Sequence, residues 1–112
     1  MRLDWECVRT VMSAVEALDG RDMLAPATLP GVSEEQVVEH FRLLREAGLM
    51  EGYPAGERPL FAVRLTWAGH QLLATMRSRT LWERIKTEAR DKGLELSMAV
   101  IKTLAARVLA AF

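Results

Sequence analysis

Cysteine is almost absent from this sequence, since Cys7 is the single one among 112 residues. One thiol cannot form a disulfide within the chain or a zinc site of several cysteines. Histidine is nearly as scarce: His40 and His70 are the only two, and no spacing motif joins them to carboxylates. We therefore predict no metal site and no cofactor, and a reducing compartment, the cytoplasm, as the location.

Long apolar runs are also missing. No stretch approaches the roughly 20 apolar residues of a membrane-spanning helix, and residues 1–6 lack the apolar core of a secretory signal. We expect no membrane association. The sequence also has no nucleophile elbow, no phosphate-binding glycine loop and no catalytic pair of carboxylates. We therefore predict that the protein is not an enzyme and has no small-molecule substrate.

The chain has no net charge, because 15 Lys and Arg balance 15 Asp and Glu. The charges are nevertheless unevenly distributed. Residues 1–50 contain five basic and nine acidic residues, a net charge of −4, and residues 51–112 contain ten and six, a net charge of +4. The length suffices for one hydrophobic core. We expect a single domain that is electrically two-sided.

Hydrophobic spacing predicts two helices in the first half of the chain. The first begins at the N-cap Asp4 and ends near residues 19–20. Residues 27–29, between two prolines, allow only a short strand. The second helix begins at Ser33, where Ser33 and Gln36 are predicted to form a reciprocal capping box. Its core face is formed by Val37, Phe41 and Leu44, with His40 and Ala47 at the edge.

The second half predicts a hairpin and three more helices. Gly48 ends the second helix, and two extended segments, residues 49–50 and 60–65, are predicted to pair across a loop at 53–59. Thr66 begins a third helix, a fourth ends at residues 92–93, and Ser97 begins the last. The predicted fold class is α+β and mostly helical.

The order of these elements resembles bacterial winged-helix regulators of the ArsR and MarR type. The resemblance is carried by residues 45–50 (REAGLM), at the end of the second helix, and residues 65–70 (LTWAGH), after the hairpin. The chain is also similar to a bacterial and prophage family, domain of unknown function 2513, over most of residues 1–92. The residues that carry this similarity include Asp4, Arg9, His40, Leu43, Leu44, Arg64, Arg77 and Trp82. The resemblance implies a winged-helix domain at 1–93, with residues 94–112 as an extra C-terminal helix of the same domain.

Two features depart from the regulator pattern. A helix-turn-helix has a short helix before its recognition helix, but Pro26, Pro30 and Gly31 occupy that position here. We therefore predict a degenerate helix-turn-helix. The outward positions of the second helix are mainly acidic, and carboxylates repel the phosphates of DNA. These outward residues are Glu34, Glu35, Val38, Glu39, Arg42 and Glu46.

Two functional hypotheses follow. The first, implied by the resemblance, is DNA binding for transcription regulation. The residues predicted to face the groove are Ser33, Gln36, Val38, Glu39 and Arg42, with Arg58 on the wing and Arg77, Arg79, Arg84 and Lys86 on phosphates. The alternative is a protein–protein interaction module, a phage–host or defence-related adaptor that does not bind DNA. An ordinary solvated helix face with ion pairs also explains the basic residues between 77 and 92.

The last helix is apolar over a wider surface than one core requires. We predict that it is the interface of a homodimer, formed by Met98, Ile101, Leu104, Ala105, Val108, Leu109 and Phe112. The alternative is that these side chains are buried in the core of their own chain.

Overall fold

The computed structural model describes residues 3–19, 22–26, 29–55 and 58–110. The elements in this part of the chain are α1 (Trp5–Glu16), α2 (Glu34–Glu46), β1 (Met50–Ala55), β2 (Arg58–Leu65), α3 (Trp67–Arg77), α4 (Arg79–Asp91) and α5 (Met98–Ala110). The mostly helical α+β class is therefore confirmed. The chain divides into two compact units, residues 1–70 and residues 71–112. The first has seven basic and eleven acidic residues, a net charge of −4, and the second has eight and four, a net charge of +4.

Helix α1 begins where the sequence predicts. The Asp4 carboxylate accepts hydrogen bonds from the backbone N–H groups of Glu6 and Cys7, which have no partner within the helix. The helix ends at Glu16, earlier than the predicted residues 19–20. Its last turn tightens, because the Leu18 N–H bonds to the Val15 carbonyl, three residues back, instead of four.

Helix α2 also begins as predicted, but only one half of its capping box is confirmed. The Ser33 hydroxyl accepts a hydrogen bond from the Gln36 N–H at 3.2 Å. The Gln36 side chain was predicted to return to Ser33, and this is wrong: its Nε2 donates to Asp4 Oδ2 at 3.1 Å. The Gln36 amide therefore binds the residue that caps α1. Gly48 follows the helix with a φ of +75°, a conformation that glycine adopts without strain.

The segment between α1 and α2 contains no α-helix in its described residues, 22–26 and 29–33. Leu24 instead forms an isolated antiparallel bridge with Ala62 of β2, in which each N–H donates to the other's carbonyl. Of the short strand predicted at 27–29, residues 27 and 28 lie outside the described residues.

Strands β1 and β2 form an antiparallel hairpin whose connection is shorter than predicted. The loop was placed at residues 53–59, yet β1 continues to Ala55 and β2 begins at Arg58. Prolines 54 and 59 fall where the register shifts, between the pairs Tyr53–Phe61 and Ala55–Arg58. Proline is tolerated there because a bulge leaves residues outside the hydrogen-bonded ladder.

The core of the first unit combines α1, α2 and the hairpin. Its buried apolar side chains are Val8, Val11, Met12, Val15, Val37, Phe41, Leu44, Leu49, Met50, Ala62 and Leu65. Thr66 begins α3 as predicted, because its Oγ1 accepts from the Gly69 N–H at 3.1 Å and donates to the Gly48 carbonyl at 2.6 Å. This threonine therefore ties the start of α3 to the end of α2.

In the second unit, α4 packs against α5. Ser78 caps α4 through the Leu81 N–H, and Ser97 caps the first turn of α5 through the Val100 N–H. The buried side chains are Leu72, Leu73, Met76, Ile85, Ala89, Ile101, Leu104, Ala105 and Val108. These buried side chains come from α3, α4 and α5.

Candidate functional site

The outer face of α2, defined as Glu34, Glu35, Val38, Glu39 and Arg42, is the first candidate surface. Glu34, Glu35 and Arg42 are exposed, and Val38 and Glu39 are half-buried. An open depression of about 460 Å³ is lined by Glu34, Glu35, Val38 and Glu39 among the described residues. Arg42 donates to Glu39 Oε1 at 3.1 Å, so the one cation of this face is paired with an acid of the same face. The face therefore presents negative charge around one aliphatic side chain.

Two of the residues predicted to contact a DNA groove have other partners. Ser33 uses its hydroxyl to cap α2, and Gln36 bonds to Asp4. The Gln36 amide, predicted to face the groove, instead reaches toward the start of α1. Arg58 lies on β2, and its side chain is outside the described part of the structure.

The basic residues of α4 do not form one stripe. At 100° per residue, Arg79, Lys86 and Arg90 share a face, whereas Arg84 lies about 140° around the helix from Arg79. Glu83 lies beside these three on the same face and accepts a bond from Lys86 Nζ at 2.8 Å. This bond is the main cause of the lowered pKa of the Glu83 carboxyl, and the charges of Arg79 and Arg90 contribute. Arg77, Arg79 and Arg84 are exposed. The residues predicted to contact phosphates nevertheless lie on more than one face, and the charge of Lys86 is paired with that of Glu83.

Most of the apolar side chains predicted to form a dimer interface on α5 are buried within their own chain. Ile101, Leu104, Ala105 and Val108 are buried, and Met98 is half-buried. The side chains of Leu109 and Phe112 lie outside the described residues. A homodimer through α5 stays a prediction, but these four buried side chains are not exposed to a second copy.

His40 lies at the centre of a hydrogen-bonded network that the sequence did not reveal. It was predicted at the edge of the core face, whereas its side chain is 0 % exposed. The Asp4 N–H donates to Nε2 at 3.0 Å, and Nδ1 lies 2.7 Å from the Gln36 carbonyl. Because Nε2 accepts, this geometry places the ring proton on Nδ1. The signal was available: residue 40 lies three positions after Val37 and four before Leu44, which is core spacing.

No cluster of three His, Cys, Asp or Glu side chains able to hold a metal ion occurs in the part of the chain that the structure describes. His40 has both ring nitrogens engaged, and His70 lies 3.9 Å from Glu16 on the surface.

Cys7 is buried in the first turn of α1, with 3 % of its surface exposed. Burial, and to a lesser degree the nearby Asp4 carboxylate, raise the pKa of its thiol from 9.0 to about 11. Because the folded state retains the proton, the free energy of unfolding is expected to decrease as pH rises from about 9 to about 11.

The same shift predicts slow alkylation of Cys7. The thiolate is the nucleophile, and a pKa raised from 9.0 to about 11 lowers its fraction about a hundredfold at pH 8. Labelling with iodoacetamide at pH 8, followed by mass spectrometry, should therefore be at least about a hundredfold slower in the native protein than in urea. Equal rates in both conditions would contradict the burial of this thiol.

Exposed apolar side chains supply a surface feature that periodicity did not predict. Trp67, at the start of α3, is 77 % exposed. It follows Thr66, whose hydroxyl bonds to the Gly48 carbonyl at the end of α2. The exposed tryptophan is thus held next to the C-terminal end of α2. No helix in the described ranges has the length and apolar content to cross a membrane.

The chain is similar to a known protein of nearly the same length. It is 35% identical over 113 residues to an "Uncharacterized protein" of Haemophilus influenzae, covering 97% of this chain and 96% of the relative. No solved structure matches the chain significantly. The family described as "Hypothetical protein (DUF2513)" matches residues 2–95, which include α1, α2, the hairpin, α3 and α4. The chain therefore belongs to the DUF2513 family.

Proposed function

We propose that this protein is a non-enzymatic winged-helix adaptor that binds another protein through the outer face of α2. Three carboxylates around Val38 on that face are the observation that carries the proposal. In a winged-helix regulator, the corresponding helix lies in the major groove. Duplex DNA carries one negative charge per roughly 1.7 Å of its axis, so this face repels DNA and suits a basic protein surface.

The winged-helix part of the proposal is supported by the order of the elements. Helix α1, the extended segment at Leu24, helix α2 and the hairpin follow one another along the chain. The bridge from Leu24 to Ala62 adds a third extended segment beside β2, as a small winged-helix sheet requires. No α-helix precedes α2 in residues 22–26 and 29–33, the position of the element that braces a recognition helix on the DNA backbone.

Trp67 supplies a second reason to prefer a protein partner. Protein interfaces are enriched in tryptophan, which often contributes much of the binding free energy. Trp67 is held next to the end of α2 by the bond from Thr66 to Gly48. A partner that covers both features would contact an acidic face and one aromatic anchor.

DNA binding by the second unit is the other candidate function. It is favoured by that unit's net charge of +4 and by the exposure of the residues Arg77, Arg79 and Arg84. In this alternative the contacts are to phosphates, because Arg79 and Arg84 lie on different faces of α4 and do not form one row for reading bases. Cytoplasmic location, prophage origin and homodimer formation stay predictions.

Photo-crosslinking in cells tests the protein-binding proposal. A benzoylphenylalanine residue at Arg42 should form protein adducts that disappear when Glu34 and Glu35 are both replaced by Lys. The matched control is the same photoreactive residue at Thr10, an exposed position of α1, which should form none of these adducts. Adducts that persist in the E34K/E35K variant would contradict a role for the acidic face.

A fluorescence-anisotropy titration with random-sequence duplexes separates the two candidates. The proposal predicts no binding at low salt, even above the micromolar concentrations typical of non-specific contacts. Binding that weakens steeply with salt and is lost in an R77A/R79A/R84A variant would support DNA binding by the second unit instead. Binding lost on R42A would assign DNA to α2 and overturn the proposal.

A further inference from the structure

A groove lined by apolar and cationic side chains lies in the second unit. Its volume is about 240 Å³, and the side chains that define it come from the end of α4, the following turn and one face of α5. We name it the α4–α5 groove and define it by Lys92, Leu94, Val100, Thr103, Leu104 and Arg107. The volume is below the roughly 300–1,000 Å³ of small-molecule sites, so it suits a few side chains rather than a metabolite.

The turn after α4 fixes an apolar side chain at the rim of this groove. Gly93 has a φ of +67°, its N–H bonds to the Arg90 carbonyl, and the Leu94 N–H bonds to the Ala89 carbonyl. These two bonds form a Schellman motif, which sets the direction of the chain after a helix. Leu94 nevertheless stays 44 % exposed. Its position is thus held by the backbone while part of its side chain remains available for contact.

The charged residues that line the groove are both cations. Lys92 lies at the end of α4, and Arg107 lies in the last turn of α5. Val100 and Thr103 lie between them in sequence, and no acidic side chain is among the described lining residues. Arg107 lies seven residues after Val100, about 10 Å along a helix at 1.5 Å per residue. The groove therefore combines an apolar floor with positive charge.

We propose that the α4–α5 groove binds an acidic amphipathic helical segment of another protein. A helix that lies along α5 places residues i and i+7 about 10 Å apart, which equals the rise of α5 from Val100 to Arg107, two residues that line the groove. Carboxylates at those two positions would approach Lys92 and Arg107, and aliphatic side chains at i+3 and i+4 would contact Leu94, Val100 and Leu104. This is recognition of a helix in a groove, with charge setting its orientation. The proposal does not involve α2 and is independent of the function proposed above.

Peptide display on the intact protein tests this proposal. The probe is a phage library of 16-residue helical peptides with randomised exposed positions. We expect selected peptides to carry Asp or Glu at i and i+7, with aliphatic residues at i+3 and i+4. The K92E/R107E variant should bind them about tenfold more weakly, because two attractive contacts become repulsive. L94S should also weaken binding, since it removes apolar contact.

The control is K102E, which changes a charge on α5 outside the groove and should leave binding unchanged. Circular dichroism melting of each variant separates loss of binding from loss of folding, and K92Q/R107Q provides a milder change for the same test. Selected peptides without acidic pairs, or equal binding to K92E/R107E, would overturn the proposal. A dimer in sedimentation velocity that K92E/R107E dissociates would identify a second copy as the occupant and would also overturn it.

Discussion

Replacing Gly69 by alanine is expected to lower the free energy of unfolding of the first unit by about 3 kcal/mol or more. A Cβ atom at this position would lie 2.0 Å from the Leu49 carbonyl oxygen and 3.3 Å from the Leu65 Cβ. The carbonyl is backbone and also accepts a hydrogen bond from the Thr66 N–H. Relief of the clash therefore requires that α3 move away from the segment that follows α2, with loss of the contacts of Thr66.

Gly48→Ala is the matched control for this variant. Gly48 has a φ of +75°, but an added Cβ there meets nothing within 4 Å. We therefore expect a loss of only about 1 kcal/mol, the cost of a left-handed conformation for a residue with a side chain. Urea denaturation followed by circular dichroism measures both. If Gly69→Ala were no more destabilising than Gly48→Ala, the close approach of α3 to Leu49 would be wrong.

His40→Ala is expected to lower the free energy of unfolding by about 3 kcal/mol. The substitution removes a fully buried ring and leaves a cavity. It also leaves the Asp4 N–H without its partner and removes the side-chain bond to the Gln36 carbonyl. An unpaired polar group in a buried place costs about 1–3 kcal/mol by itself, so the lost bonds add to the lost packing.

Two further variants separate these contributions. His70→Ala removes a surface imidazole 3.9 Å from Glu16 and should change stability by less than about 0.5 kcal/mol. His40→Phe retains a ring of similar size but makes no hydrogen bonds, so it should restore only part of the stability lost in His40→Ala. A His40→Ala variant as stable as His70→Ala would contradict the network.

Local signals in the sequence predicted most of the elements. N-caps at Asp4, Ser33 and Thr66 and a left-handed glycine at residue 48 act within a few residues, and so they can be recognised from spacing alone. The ends of the hairpin were predicted less well, because prolines 54 and 59 indicate a loop unless the register shifts that accommodate them are known. That register depends on residues of both strands.

The surfaces were harder to predict than the elements. The acidic outward positions of α2 follow directly from helical spacing, and the exposure of Glu34 and Glu35 agrees with it. The role of Gln36 was missed because its partner, Asp4, lies 32 residues away. The α4–α5 groove was missed for a similar reason, since it depends on how two helices and a turn pack together. Long-range contacts of this kind leave no short periodic pattern in a sequence.

The bond from Asp4 to His40 joins residues 36 positions apart. An N-cap normally stabilises only its own helix, and such first turns open independently of the rest of a protein. Here Asp4 caps α1 through its carboxylate, and its N–H also donates a hydrogen bond to His40 in the middle of α2. The first turn of α1 and the centre of α2 are therefore expected to open and close as one cooperative unit, protected together against local unfolding.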